Sequence, residues 1–146
     1  MSDLLQRLRD RGWRLTAQRR VVAEVLDGEH VHYTADEVHA RATARLPEIA
    51  RATVYNTLSE LVTIGEVIEV STADRAKRYD PNARHRHQHL VCSRCGTIRD
   101  VHPVGDPLAA LPEGERFGFS ISDATVTYRG LCPDCSTDCS TDCSTD

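Results

Sequence analysis

Apolar residues recur at helical spacing through the first half of the chain. Leu4, Leu5 and Leu8 share one face of a segment that Ser2 can cap and Gly12 ends. Thr16 opens a second segment with Val21, Val22, Val25 and Leu26 on its apolar side, stopping at Gly28. Thr34-Ala-Asp-Glu37 has capping-box spacing: the two side chains satisfy free backbone donors at the start of a third helix, which Pro47 closes. A fourth helix is expected from Ala50 to Ile64, with Val54, Leu58, Leu61 and Val62 inward and Gly65 as its stop. The period then changes. Val67–Val70 and Lys77–Asp80, joined by a polar tip, read as two antiparallel strands.

Short helices followed by a hairpin outline a winged helix-turn-helix over residues 1–81, with the fourth helix as its recognition helix. The outward residues Arg51, Thr53, Tyr55, Asn56 and Ser59 are polar and suit a major groove. A helical bundle with a solvated face would carry the same pattern. Residues 82–84 read as a hinge. Beyond it, His89–Cys92, Thr97–Val101 and Ser120–Tyr128 read as strands, with one helix near Leu108, giving a small domain over residues 85–135. The fold class expected is therefore α+β in two domains. Residues 136–146 repeat Cys-Ser-Thr-Asp without an apolar anchor and read as a disordered tail.

Composition narrows the function. The chain has 146 residues, 18 Lys+Arg against 22 Asp+Glu and a net charge of −4, too short for a large enzyme core. Residues 1–83 carry 12 basic and 13 acidic side chains (−1), and residues 84–146 carry 6 and 9 (−3). Six arginines face two aspartates within the first 20 residues, a local +4 that can meet phosphate despite the overall sign. The longest apolar run is four residues, Leu108–Leu111, so no membrane span is expected. The charged N-terminus offers no secretory signal, which points to the cytoplasm, where disulfides rarely persist. Six cysteines and seven histidines in that setting favour metal binding.

Cys92-Ser-Arg-Cys95 and Cys132-Pro-Asp-Cys135 form two C-x-x-C pairs with 36 residues between them. Two such knuckles complete a closed four-sulfur structural zinc site. A redox pair fits less well, because neither sits at a strand-to-helix turn of a βαβ unit. Just before the first knuckle, His85, His87 and His89 alternate, so on a strand all three imidazoles line one face. Asp80, at the end of the hairpin, and Asp100 can add carboxylate oxygens, and His32 can join from the helical half. Imidazoles and carboxylates without sulfur suit Fe(II), Mn(II) or Zn(II). Such a site ties the two halves together and is a candidate switch.

Taken in order, Gly12-Trp-Arg-Leu-Thr-Ala-Gln-Arg19, His32-Tyr-Thr-Ala-Asp-Glu37, Ala52-Thr-Val-Tyr-Asn56, the H-x-H-x-x-C-x-x-C run and the closing C-x-x-C resemble the Fur (ferric uptake regulator) superfamily of metal-dependent repressors. The resemblance runs from Leu4 to Cys135. It implies homodimers on palindromic operators in double-stranded DNA, each subunit a winged-helix domain hinged to an α/β dimerisation domain. It places structural Zn(2+) on Cys92, Cys95, Cys132 and Cys135, and regulatory Fe(2+) or Mn(2+) on His32, Asp80, His87, His89 and Asp100. It also implies DNA contacts by Arg14, in the minor groove, by Gln18, Arg19, Arg51 and Thr53, by Tyr55 on thymine and by Asn56 on a base edge.

Asp100 makes the chain most similar to the peroxide-sensing PerR branch, since iron-sensing members tend to have glutamate there. That branch implies Fe(II)-dependent oxidation of His32 or His87, loss of metal and release of DNA. An iron-, manganese- or zinc-responsive repressor without peroxide sensing is the alternative. Ala50 departs from the family's usual Ser or Thr cap, and the thiols of Cys139 and Cys143 are foreign to the pattern. His85 and His102 have no role in it. A non-haem iron enzyme could use the same His/Asp set, but seven aromatic residues in two small domains leave little room for a substrate pocket. A metal-storage role would rest on the Cys-rich tail. Neither reading is favoured over the repressor, and no enzymatic activity is expected.

Overall fold

Leu4, Leu5 and Leu8 are buried along one side of α1 (Asp3–Asp10). The computed structural model describes residues 3–28, 30–72, 76–84 and 86–137, so a cap at Ser2 lies outside the described residues. Thr16 caps α2 (Ala17–Leu26) by accepting from the Arg19 amide. The capping box forms at α3 (Ala35–Thr43), where the Thr34 and Glu37 side chains each accept a backbone N–H at 3.2 and 3.0 Å. That helix stops at Thr43, before Pro47. The fourth helix, α4 (Arg51–Thr63), starts at Ala50 with no side-chain cap.

Gly12 and Gly65 follow α1 and α4 with φ of +72° and +78°, a conformation that costs other residues strain. Both ends carry the paired bonds of a Schellman cap: Trp13 and Gly12 donate to Leu8 and Arg9, and Glu66 and Gly65 donate to Leu61 and Val62. The helices bury one core: Leu4, Leu8, Val22, Leu26, Val38, Val54, Leu58 and Leu61, joined by Val67 and Tyr79 from beyond α4. Each such side chain contributes about 1.5–3 kcal/mol of transfer free energy.

The hairpin is β2 (Ile68–Ser71) and β3 (Lys77–Asp80), registered Ile68 to Asp80 and Ser71 to Lys77. A third strand was not expected. Tyr33 and Thr34 form β1 and pair with Tyr79 and Arg78, so β3 is the centre of a β1-β3-β2 sheet. Two residues are too few for alternation to register in a sequence.

The chain divides into two compact units, Met1–His85 and Arg86–Asp146. In the second, β4 (Gln88–Cys92) pairs antiparallel with β5 (Ile98–Val101) and parallel with β6 (Thr127–Gly130). The long strand expected over Ser120–Tyr128 is corrected: residues 120–126 are irregular and pairing begins at Thr127. The helix near Leu108 is α5 (Pro107–Ala110), capped by Asp106. An unexpected helix, α6 (Pro133–Thr137), takes in Ser136 and Thr137 of the expected tail; the rest of that tail lies outside the described residues. The mixed α+β class is as expected. No described helix is long and apolar enough to cross a membrane.

The two units differ in how they hold together. Among the described residues of the second, Val91 and Cys92 are the buried apolar side chains, while Leu90, Val104, Phe117, Phe119, Tyr128 and Leu131 are exposed. So small an apolar core does not stabilise a domain unaided.

Candidate metal centres and nucleic-acid interface

The cysteine cluster follows from the β4–β6 pairing. Cys92 ends β4 opposite Gly130, the last residue of β6, and the Ser93 amide donates to the Gly130 carbonyl, which brings Cys132 beside the first knuckle. The knuckle closes through Gly96, φ +75°, whose amide donates to Cys92, while Arg94 holds the Cys135 carbonyl at 3.1 Å. All four sulfurs lie within 4.8 Å of one another. Backbone amides of Cys95 and Cys132 point at Cys92 Sγ, at 3.5 and 3.4 Å, and lower its thiol to about 5. The Thr97 hydroxyl at 3.1 Å lowers Cys95 as well. Hydrogen bonding to Cys132 and burial push Cys135 up to about 12. Four convergent thiols with one held as thiolate make a nest suited to a tetrahedral soft cation.

The histidines and aspartates fall into two sets, one in each unit. In the first unit the β1–β3 register, continued by one residue, sets His32 opposite Asp80. His32 Nε2 is 3.5 Å from Asp80 Oδ2, and the aspartate is fully buried. Asp80 also accepts the Asn82 amide at 2.8 Å. In the second unit His89 and Asp100 are registered partners across β4 and β5. His87 Nε2 and His89 Nε2 each stand 3.7 Å from Asp100 Oδ1, with the two rings edge-to-face at 4.8 Å. The alternation brings His87 and His89 to the same side, facing one carboxylate oxygen, although β4 itself begins only at Gln88. His85 lies outside the described residues, as do Cys139 and Cys143, and His102 is exposed.

The expected DNA-binding residues lie on the first unit. Arg14, Gln18, Arg19, Thr53 and Asn56 line a cleft of about 310 Å³ between the start of α2 and the outward side of α4, together with Thr16, Thr57 and Glu60. Arg51 and Tyr55 are exposed on α4, outside that cleft lining. Arg51 pairs with Asp36 at 2.6 Å. His39 Nε2 lies 3.2 Å from the Ile49 carbonyl and steadies the entry to α4, where Ala50 supplies no cap. Glu60 is not among the residues that the sequence singles out, since a lone carboxylate on a polar helix face carries no local motif.

The family model of the ferric uptake regulators matches residues 10–129. The chain belongs to the ferric uptake regulator family. Relatives include the peroxide-responsive repressor PerR of Staphylococcus saprophyticus, 35% identical over 92% of this chain and 90% of that one. The transcriptional regulator FurA of Mycobacterium bovis is 32% identical over 93% and 92%. Among solved structures, the ferric uptake regulator of Vibrio cholerae superposes with a TM-score of 0.66 at 26% identity, covering 89% of this chain and all of that one. This ferric uptake regulator family member is a metal-dependent, DNA-binding repressor of the kind that acts as a dimer, not an enzyme.

Proposed function

We propose that the chain is a peroxide-responsive repressor whose regulatory metal is held by His32 and Asp80 of the first unit with His87, His89 and Asp100 of the second. The observation that carries this reading is the Asp100 carboxylate with His87 and His89 Nε2 both at 3.7 Å. Two ligands, each about 2.1 Å from one cation, stand roughly that far apart. Imidazole and carboxylate donors without sulfur suit Fe(II) or Mn(II). The identity to a peroxide-responsive repressor supports the same reading.

His32 and Asp80 sit on the winged-helix unit and the other three ligands on the other unit, so one ion shared between them would restrain the angle at which α4 is presented. Metal loss would release that restraint and with it a two-fold operator in double-stranded DNA. Bound Fe(II) would supply the electron that opens the O–O bond of hydrogen peroxide beside an imidazole. In net terms, peroxide transfers one oxygen atom to a ring carbon of His32 or His87 and leaves as water, and the ring loses two electrons. An oxidised ring donates poorly, and the ligand set falls apart.

Cys92, Cys95, Cys132 and Cys135 hold a structural zinc in this reading, which compensates for the small apolar core of the second unit. The exposed Leu90 and Tyr128, partners across β4 and β6, belong to the surface that the second subunit covers. Thiolate zinc sites fit a reducing cytoplasm.

The test is mass spectrometry of anaerobically iron-loaded protein after peroxide, with DNA binding measured alongside. One added oxygen on a peptide holding His32 or His87, accompanied by release from DNA, is expected for iron and not for manganese. Oxidation confined to cysteines would overturn the iron-centred reading and leave a repressor that responds to metal alone.

A further inference from the structure

Glu60 is the one carboxylate among the side chains lining the cleft on α4. A negative charge on a surface that meets phosphates works against binding unless it has a task. Its partner is specific: Glu60 Oε2 lies 2.6 Å from Arg19 Nη2. Arg19 is pinned from two further sides. Its guanidinium carbon stands 4.6 Å from the centre of the Trp13 ring, and Nη1 donates to the Arg14 carbonyl at 3.2 Å. Trp13 itself is packed against the helical core, so these contacts bolt Arg19 to the body of the domain. The pair is part-exposed, 27% for Arg19 and 46% for Glu60, and an incoming phosphate can compete for the same guanidinium.

We propose that Glu60 is a specificity-determining residue that acts through Arg19. It occupies the guanidinium in the free protein and subtracts one cation from the charge offered to any DNA backbone. Random DNA offers only phosphates, so it bears the whole penalty. On an operator, base contacts from Tyr55 and Asn56 set the register of α4, so the Arg19–Glu60 pair stays closed there and the carboxylate costs less. The carboxylate thus widens the gap between specific and non-specific binding at the expense of raw affinity. This rests on the reading of the cleft as the face that meets DNA.

The experiment uses full-length metal-loaded protein and two duplexes of equal length: one selected from a random library by the wild-type protein, and one of random sequence. Glu60→Gln keeps the side chain's size and removes its charge. Binding to the random duplex should tighten about two- to fivefold, the worth of one exposed ion pair. Its plot of log affinity against log salt should steepen by about 0.9, one more phosphate engaged. Binding to the selected duplex should change by less. Adding Arg19→Ala to Glu60→Gln should abolish the gain on random DNA, which a merely structural role for Glu60 would not predict. Equal tightening on both duplexes, or an unchanged salt slope, would overturn the inference. If Arg14→Ala leaves binding to both duplexes intact, the cleft is not the DNA face, and the reading beneath the inference fails with it.

Discussion

Arg7 and Glu66 are buried against each other at 2.7 Å, although 59 residues separate them. The arginine also donates to the Pro81 carbonyl at 2.8 Å and bonds Asp3 one turn back on α1. Arg11 reaches the other Glu66 oxygen at 3.1 Å. One guanidinium, that of Arg7, therefore joins α1 both to the cap of α4 and to the residue that follows Asp80.

Removing one partner of this pair should cost about 3–5 kcal/mol, because the other charge is left buried without compensation. Arg7→Met and Glu66→Gln should each lower the midpoint of urea denaturation of full-length protein. A loss under about 1 kcal/mol for both would show that the pair contributes little, as at an exposed site.

The same pair sets an acid limit. Burial alone would raise the Glu66 carboxyl, but hydrogen bonds from Arg7 and Arg11 outweigh it and hold the group below the ordinary 4.5. A depressed carboxyl stabilises the fold fully above the unfolded value, and that stability is lost as pH falls through the native value. Stability should therefore drop below about pH 4.5, and Glu66→Gln should remove that part of the dependence. Parallel pH profiles for wild type and variant would contradict this.

Cys95→Ser should yield protein without bound zinc that is monomeric or unfolded, since the binding energy of a closed thiolate site is folding energy. Elemental analysis with sedimentation measures both. A zinc-free dimer with native circular dichroism would refute a structural role for the cluster.

Tyr55→Ala and Asn56→Ala should narrow the gap between selected and random duplexes, by about 1–3 kcal/mol if base edges are read directly. Arg14→Ala should instead weaken binding to both and flatten the salt slope by about 0.9. Titrations at three salt concentrations separate the two behaviours.

Asp100→Glu lengthens by one methylene the carboxylate that faces His87 and His89. The variant should still bind Fe(II) and repress, yet survive peroxide treatment that releases the wild type from DNA. Equal sensitivity in both proteins would remove Asp100 from the sensing role.

Helix signals were local and could be read directly. The Thr16 cap, the Thr34–Glu37 box and the glycine stops at Gly12 and Gly65 each act within a turn of their own residues, and each is found in place. The thiolate knuckles were legible for the same reason, since a C-x-x-C turn brings its two sulfurs together. The strand expected over Ser120–Tyr128 was misread, because apolar alternation there does not correspond to pairing, which starts only at Thr127. Arg7 and Glu66 gave no signal at all, as a charged residue in an amphipathic segment reads as solvated.

By itself, the sequence determined which segments of the first unit are helical, which cysteines pair into knuckles and which residue types are available to hold a metal or meet DNA. Those properties depend on neighbours within a few positions along the chain. Only tertiary structure decided that His32 stands against Asp80 through a two-residue strand, that His87 and His89 converge on Asp100, and that Glu60 holds Arg19 over Trp13. These relations join residues far apart in sequence, and strand register and helix packing set them, neither of which leaves a periodic trace in the chain.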